Sequence, residues 1–394
     1  MTHALSRRAT LRLGFGLGLG VTFLGTTALA ADARSPRLVV IICRGAMDGL
    51  SVSPPLHDPA YAALRGAIAI PPDKALPLDG DFGLHPKLVN IQRLALAGQA
   101  RIAPAVAWPV HIRSHFEAQD LLESGADKLY GTQTGWLNRT VQALSEDRAA
   151  RAIAVAPQAP LILQGPAAYD TWSPGAPFNP AGSRLAGILQ DLYQPDPLLG
   201  PAFAAGLAVE HEAMALNANA PALKANDARD FATAAARFLA APGGPAIAVI
   251  SLDGFDTHAN QGAADGQLAN RLSGLDDVVA GLEKGLGPDW AQTAVVVATE
   301  FGRTAHVNGT GGTDHGTAST LIVAGGALKA GGLLGDWPGL GQGQLFENRD
   351  TAPTLDMRRV FKTLIVEHLG VDRRLADTRV FPDSRDAGLI SGLV

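Results

Sequence analysis

Cysteine is almost absent: Cys43 is the single one in 394 residues. No intrachain disulfide can form, and the chain must hold together by its core. Basic clusters are missing too. Lysine and arginine total 32 against 37 acids, a formal net charge of −5 at pH 7. A modestly acidic chain without a basic run is unsuited to nucleic acid or to an anionic membrane surface. Past the first thirty residues no apolar stretch approaches the roughly 20 residues a bilayer crossing needs, so no stable membrane insertion of the mature chain is expected. Repeats and low-complexity tracts are absent.

What is present begins with a targeting segment. Paired Arg7 and Arg8, a glycine-diluted apolar stretch and the small-residue site Ala28-Leu29-Ala30 predict a twin-arginine signal over 1–30, cleaved after Ala30. Its partner is the twin-arginine export machinery, and its destination is periplasmic or secreted. The competing reading, an anchor retained at the membrane, requires a longer and more apolar stretch.

The remaining 31–394 reads as one domain. Short aliphatic runs recur at Leu38–Cys43, Ile102–Trp108, Ile153–Ala156, Ala246–Leu252, Val295–Thr299 and Thr320–Ala324. Between them lie helical patterns at Pro86–Leu96, Ser114–Leu122, Gly135–Leu144, Leu268–Leu286 and Met357–Leu369. Strands alternating with helices predict an α/β fold, doubly wound around a mainly parallel sheet. Residues 165–240 are Ala/Leu-rich and broken by prolines, which predicts a helical insertion beside the sheet.

In such sheets ligands bind beyond the carboxyl ends of strands, and polar clusters stand at those places. "CRGAMDGLS" supplies Arg44 and Asp48. "HIRSHFEAQD" places Ser114 at a helix start, where a plain N-cap is the simpler role, and puts His115 and Gln119 one turn apart on a common face. "LDGFDTHANQ" offers Asp256 and His258, a compact carboxylate–imidazole pair suited to zinc or a similar divalent metal. "TEFGRTAHVNGTGGTDHG" carries Glu300, Arg303, Asp314 and His315, with glycines that let backbone approach a ligand. His57, His211, His306 and His368 read as surface or packing residues.

These stretches, in this order behind a twin-arginine signal, resemble the bacterial domain-of-unknown-function family fifteen-oh-one, itself similar to the alkaline phosphatase and sulfatase superfamily. The resemblance spans nearly all of the mature chain. It implies an alkaline-phosphatase-like fold and a metal-supported hydrolase site. By position it implies that Asp48, Asp256, His258, Asp314 and His315 hold one or two divalent ions and that Ser114 is the nucleophile; Glu300 joins the expected metal ligands by its place at a strand end, and His115 and Gln119, one helical turn apart, are expected to line the pocket. Arg44 and Arg303 would hold an anionic group, since guanidinium geometry suits phosphate or sulfate. Where the superfamily carries Asp-His-Gly, this chain has Glu300-Phe301-Gly302, one imidazole fewer. Cys43 lacks the Cys-x-Pro-x-Arg context of a modified nucleophile.

Imidazole-containing donor sets favour zinc or another transition metal over calcium or magnesium. The carboxylates gathered at one sheet edge would repel one another without a cation. The leading expectation is an exported metal-dependent hydrolase of phosphate or sulfate esters, acting on a small-molecule or saccharide anionic ester. A non-catalytic exported binding protein that retains the fold remains open, as does another metal-dependent transferase or isomerase.

Overall fold

The computed structural model describes residues 35–145, 150–156, 158–173, 184–218, 223–224 and 227–394. The signal expected over 1–30 lies outside them. Among the described residues no helix is long and apolar enough to cross a membrane.

The strands are β1 (Arg37–Cys43), β2 (Leu76–Asp79), β3 (Phe82–Leu84), β4 (Ala100–Ala107), β5 (Ala152–Val155), β6 (Asp170–Trp172), β7 (Ile247–Leu252), β8 (Thr293–Ala298), β9 (Ser319–Ala324), β10 (Gly332–Leu333) and β11 (Leu355–Asp356). The helices are α1 (Gly49–Val52), α2 (Tyr61–Arg65), α3 (Val89–Leu96), α4 (His115–Ser124), α5 (Trp136–Ser145), α6 (Arg184–Tyr193), α7 (Leu199–Asn217), α8 (Ala228–Ala240), α9 (Gln267–Leu286) and α10 (Met357–Thr363). β2 and β3 form a separate antiparallel pair, and the main sheet runs β10-β4-β9-β8-β1-β7-β5-β6 with β11 also on β4.

Every aliphatic run foreseen in the sequence is a strand of this sheet. β1 is central, parallel to both β7 and β8. Its side chains alternate between two cores: Leu38, Val40 and Ile42 enter one, and Val39, Ile41 and Cys43 the other. Both faces are therefore covered, which explains runs without polar alternation. α3, α8 and α9 contribute to one core, and α5 and α10 to the other.

One strand runs against the rest. β9 is antiparallel to β8 and to β4, so the chain entering β9 arrives at the edge where β1, β7, β8 and β4 end. The sequence reading assigned no direction to this strand. It also missed the edge strand β6, whose three residues interrupt a region expected to be helical. Beyond β6 the described residues form α6, α7 and α8. α8 lies close against α9: a Cβ on Gly281 or Gly285 would stand 2.8 and 2.5 Å from the methyls of Ala232 and Ala236.

A buried carboxylate ties α9 to α3. Leu88, the N-cap of α3, offers no capping side chain, leaving first-turn N–H groups without partners. Asp276 of α9 supplies them: Oδ2 accepts from Asn90 N at 3.0 Å and Oδ1 from Ile91 N at 2.9 Å. Asp276→Ala should therefore lower the unfolding free energy by about 1–3 kcal/mol, the cost of leaving buried donors unpaired. Urea denaturation with an unchanged m-value checks this; a loss below the error of the fit would remove the cross-helix cap from the account.

Candidate metal centre

The reversed strand solves the assembly of the site. β7 delivers Asp256 and His258, the turn after β8 delivers Glu300, and the chain approaching β9 delivers Asp314 and His315. Glycines make the last two segments fit. Gly302 donates to the Thr317 carbonyl at 2.9 Å, and Gly316 donates back to the Gly302 carbonyl at 2.8 Å. A Cβ at Gly302 would fall 1.8 Å from the Ala318 carbonyl oxygen, and one at Gly312 2.4 Å from that of His258. Arg303 and His315 consequently pair as an antiparallel bridge.

His115, the first residue of α4, completes the cluster. Its Nε2 lies 3.0 Å from His315 Nε2 and 3.3 Å from Asp256 Oδ2. His258 Nε2 lies 3.0 Å from His315 Nε2 and 3.0 Å from Asp256 Oδ1. Donor atoms of His115, Asp256 and His315 gather within 4.8 Å of one another.

The other ring nitrogens decide the protonation. His315 Nδ1 sits 2.8 Å from the Arg113 carbonyl oxygen, His115 Nδ1 2.8 Å from Glu300 Oε1, and His258 Nδ1 3.4 Å from Asp314 Oδ1. Each of these partners only accepts, so a proton on Nδ1 is satisfied there, and in that tautomer the ring turns a bare Nε2 inward. His115 and His258 both bring Nε2 against His315 Nε2, and all three rings approach the Asp256 carboxylate. The 3.0–3.4 Å separations are of the size of donor–donor spacings in a tetrahedral zinc site, about 3.3 Å for metal–nitrogen bonds of about 2.0 Å. Backing each ring with a carboxylate or carbonyl is the usual second support of metal-binding histidines. The donor chemistry fits a transition metal.

Electrostatics agree with these partnerships. The Glu300 hydrogen bond holds the His115 pKa above the ordinary 6.5, against burial and with help from the charges of Glu300 and Asp256. Burial opposes ionisation of Glu300, but bonds from His115, Gln119 and Gly45 outweigh it and lower its pKa. Burial likewise opposes ionisation of Asp256, and Arg303 reverses the outcome. Burial depresses His315, which keeps its ring neutral.

Not every expected residue joins the cluster. Asp48 is turned into the interior, 1 % exposed, where it pairs with Arg65 and accepts from Ser51 Oγ at 2.9 Å and Gln261 Nε2 at 2.6 Å. The ligand role expected for it is corrected: its carboxylate neutralises a buried guanidinium. Glu300 and Asp314 touch the histidines from behind. Arg303 is fully buried, donating to Asp256 Oδ1 at 2.6 Å and to Thr313, so it braces a donor and has no free edge for substrate. Arg44 is held by Gln119 Oε1 at 3.0 Å and Glu123 Oε1 at 2.7 Å, and Gln119 also donates to Glu300. Ser114 is the N-cap of α4 but makes no capping bond with its side chain, and it sits between Arg113, which holds His315, and His115. The sequence reading placed His115 only in the pocket wall, and it missed the Arg113 carbonyl because a backbone atom leaves no residue-type signal.

In metal-free protein the His115 ring should titrate above 6.5, and Glu300→Gln should bring its midpoint down. A histidine whose folded pKa is raised adds stability that is fully present below the unfolded pKa and is lost as pH rises through the folded one. The stability deficit of Glu300→Gln should accordingly be larger at pH 6 than at pH 9. NMR titration of the ring, with denaturation at both pH values, checks the pair; an unshifted midpoint in the variant would break the assignment.

A sequence profile described as "Protein of unknown function (DUF1501)" matches residues 95–382. No curated protein matches the chain. Several solved structures are similar at a distance. Murine ectonucleotide pyrophosphatase/phosphodiesterase 5, inactive and in complex with AMP, is 13 % identical, with 68 % of this chain and 57 % of that one covered and a TM-score of 0.32. The lipoteichoic acid synthase LtaP from Listeria monocytogenes is 8 % identical, covering 89 % and 76 %, with a TM-score of 0.41. The phosphonate monoester hydrolase of Agrobacterium radiobacter is 11 % identical, covering 86 % and 74 %, with a TM-score of 0.39. This chain spans little more than half of the murine protein. The profile match covers most of the chain, which therefore belongs to the family described as Protein of unknown function (DUF1501).

Proposed function

We propose that this protein is an exported, metal-dependent hydrolase of phosphate or sulfate esters. The observation that carries the reading is the approach of three imidazole Nε2 atoms to the Asp256 carboxylate, with each Nδ1 beside an accepting oxygen. His115, His258, His315 and Asp256 would hold one divalent ion, zinc or another transition metal. When bound, such an ion polarises an anionic ester and offsets charge on the departing oxygen. Glu300, Asp314 and the Arg113 carbonyl keep the imidazoles in the donor tautomer, and Arg303 keeps Asp256 ionised. Ser114 is the nucleophile in this reading: its hydroxyl has no capping duty, and both neighbours in sequence contact the centre. Its oxygen would bond to phosphorus or sulfur as the ester oxygen leaves, and water would then release the acid and restore the serine.

One observation favours a non-catalytic binding protein. Both guanidiniums expected to grip substrate, Arg44 and Arg303, are engaged by the protein's own side chains.

The test uses protein reconstituted with zinc or manganese and a panel of 4-nitrophenyl phosphate, bis(4-nitrophenyl) phosphate and 4-nitrophenyl sulfate. At least one ester should be cleaved, chelator should abolish cleavage, and His315→Ala should lower kcat/KM by about 100-fold or more. Ser114→Ala should stop turnover while leaving bound metal unchanged, and in the producing cell the activity should fractionate outside the cytoplasm. Stoichiometric metal without turnover of any ester would leave the binding-protein reading; a fully active Ser114→Ala would transfer attack to water.

A further inference from the structure

His115 and His315 come from separate segments, and one buried carboxylate joins those segments. Asp350 is fully buried. Its Oδ2 accepts from Arg113 Nε at 3.0 Å and Nη2 at 2.6 Å, and from Thr317 Oγ1 at 2.9 Å. Arg113 stands two residues before His115, and Thr317 two residues after His315. Oδ1 accepts from Arg349 Nη1 at 3.1 Å, so both oxygens of the buried charge have donors. The turn carrying Asp350 grips the chain ahead of α4 twice more. Glu347 Oε2 accepts from Arg113 Nη2 at 2.7 Å, and the Phe346 ring meets the His111 ring edge-on, with centroids 4.9 Å apart. Arg349 N–H closes the turn on the Phe346 carbonyl at 3.1 Å, with Glu347 and Asn348 between them at φ +53°. That left-handed conformation costs non-glycine residues free energy and persists where the surroundings enforce it.

We propose that Asp350 is a positioning residue of the metal centre: one carboxylate oxygen, shared by Arg113 and Thr317, sets the separation of His115 and His315. The two rings lie with centroids 4.4 Å apart and Nε2 atoms 3.0 Å apart. Bare ring nitrogens, both acceptors, do not draw one another that close, so the chains carrying the rings must impose the spacing. The Arg113 carbonyl, which backs His315 Nδ1 at 2.8 Å, belongs to the same clamped stem. Loss of the clamp therefore loosens a donor pair and the support of one ring together. The consequence for metal rests on the reading of the cluster as a metal centre; the spacing of the rings does not.

Two readouts on the full-length protein separate these parts. In metal-free protein the NOE between the His115 and His315 rings should be present in the wild type and lost in Asp350→Ala. Asp350→Asn should retain it, because its amide oxygen still accepts from both Arg113 and Thr317. Zinc affinity, measured by competition with a chelating dye, should fall about 10- to 100-fold in Asp350→Ala and less in Asp350→Asn. Asp276→Ala, which unties α3 from α9, is the control for lost stability and should keep the wild-type NOE and zinc affinity. Should Asp350→Ala fail to fold, Thr317→Val removes only the link on the His315 side, and it should weaken the NOE and zinc binding in the same direction. An unchanged NOE or an unchanged zinc affinity in folded Asp350→Ala, or in Thr317→Val where that variant stands in, would overturn the proposal. So would an equal loss in Asp276→Ala, which would assign the effect to stability. A wild type that shows the NOE but binds no zinc would overturn the metal-centre reading and the metal half of this proposal, while the NOE in the variants still decides the clamp.

Discussion

Imidazole nitrogens repel one another at close range unless a proton or a cation lies between them, and this protein packs two others against His315 Nε2. Two Nε2–Nε2 contacts of 3.0 Å meet at His315, and on the far side of each ring Nδ1 faces an accepting oxygen. Much of the surrounding architecture serves that arrangement. Glu300 is buried to back His115, the Arg113 carbonyl is turned to back His315, and Arg303 gives up its whole guanidinium to Asp256 and Thr313. The burial of Glu300 is compensated only because several donors reach its carboxylate.

A second polar network stabilises this arrangement from below. The Asp48–Arg65 pair meets Gln261, whose Oε1 accepts from Thr257 Oγ1 at 2.8 Å and Thr313 Oγ1 at 2.9 Å, and Thr313 in turn accepts from Arg303 Nε at 3.1 Å. A continuous run of hydrogen bonds thus links the turn after β1 to the carboxylate of Asp256. Asp48, reached by Arg65, Ser51 and Gln261, thereby has a structural purpose in this network.

The sheet was legible in the sequence because a strand covered on both faces must be apolar throughout, and residues 38–43, 295–298 and 321–324 have that property. The edge that carries chemistry followed from the same pattern, and so did the grouping of Asp256, His258 and His315. Other features left no trace in residue order. β9 is as apolar as its neighbours, so its reversal shows only in the hydrogen-bond register, yet that reversal brings Asp314 and His315 to the right edge. Asp48 and Glu300 both stand at strand ends like ligands. Their partners, Arg65 and His115, are 17 and 185 residues away in sequence and nothing local announces them. His115 stands one residue beyond Ser114, and its role depends on where α4 begins.

X-ray absorption spectroscopy of the zinc-reconstituted protein tests the central claim most directly, since multiple scattering from imidazole rings counts histidine ligands. The account predicts three imidazoles and one carboxylate oxygen, with zinc–ligand distances of about 2.0–2.2 Å, and the loss of one imidazole in His258→Ala. A metal bound through oxygen alone, or a spectrum unchanged by removal of His258, would contradict it.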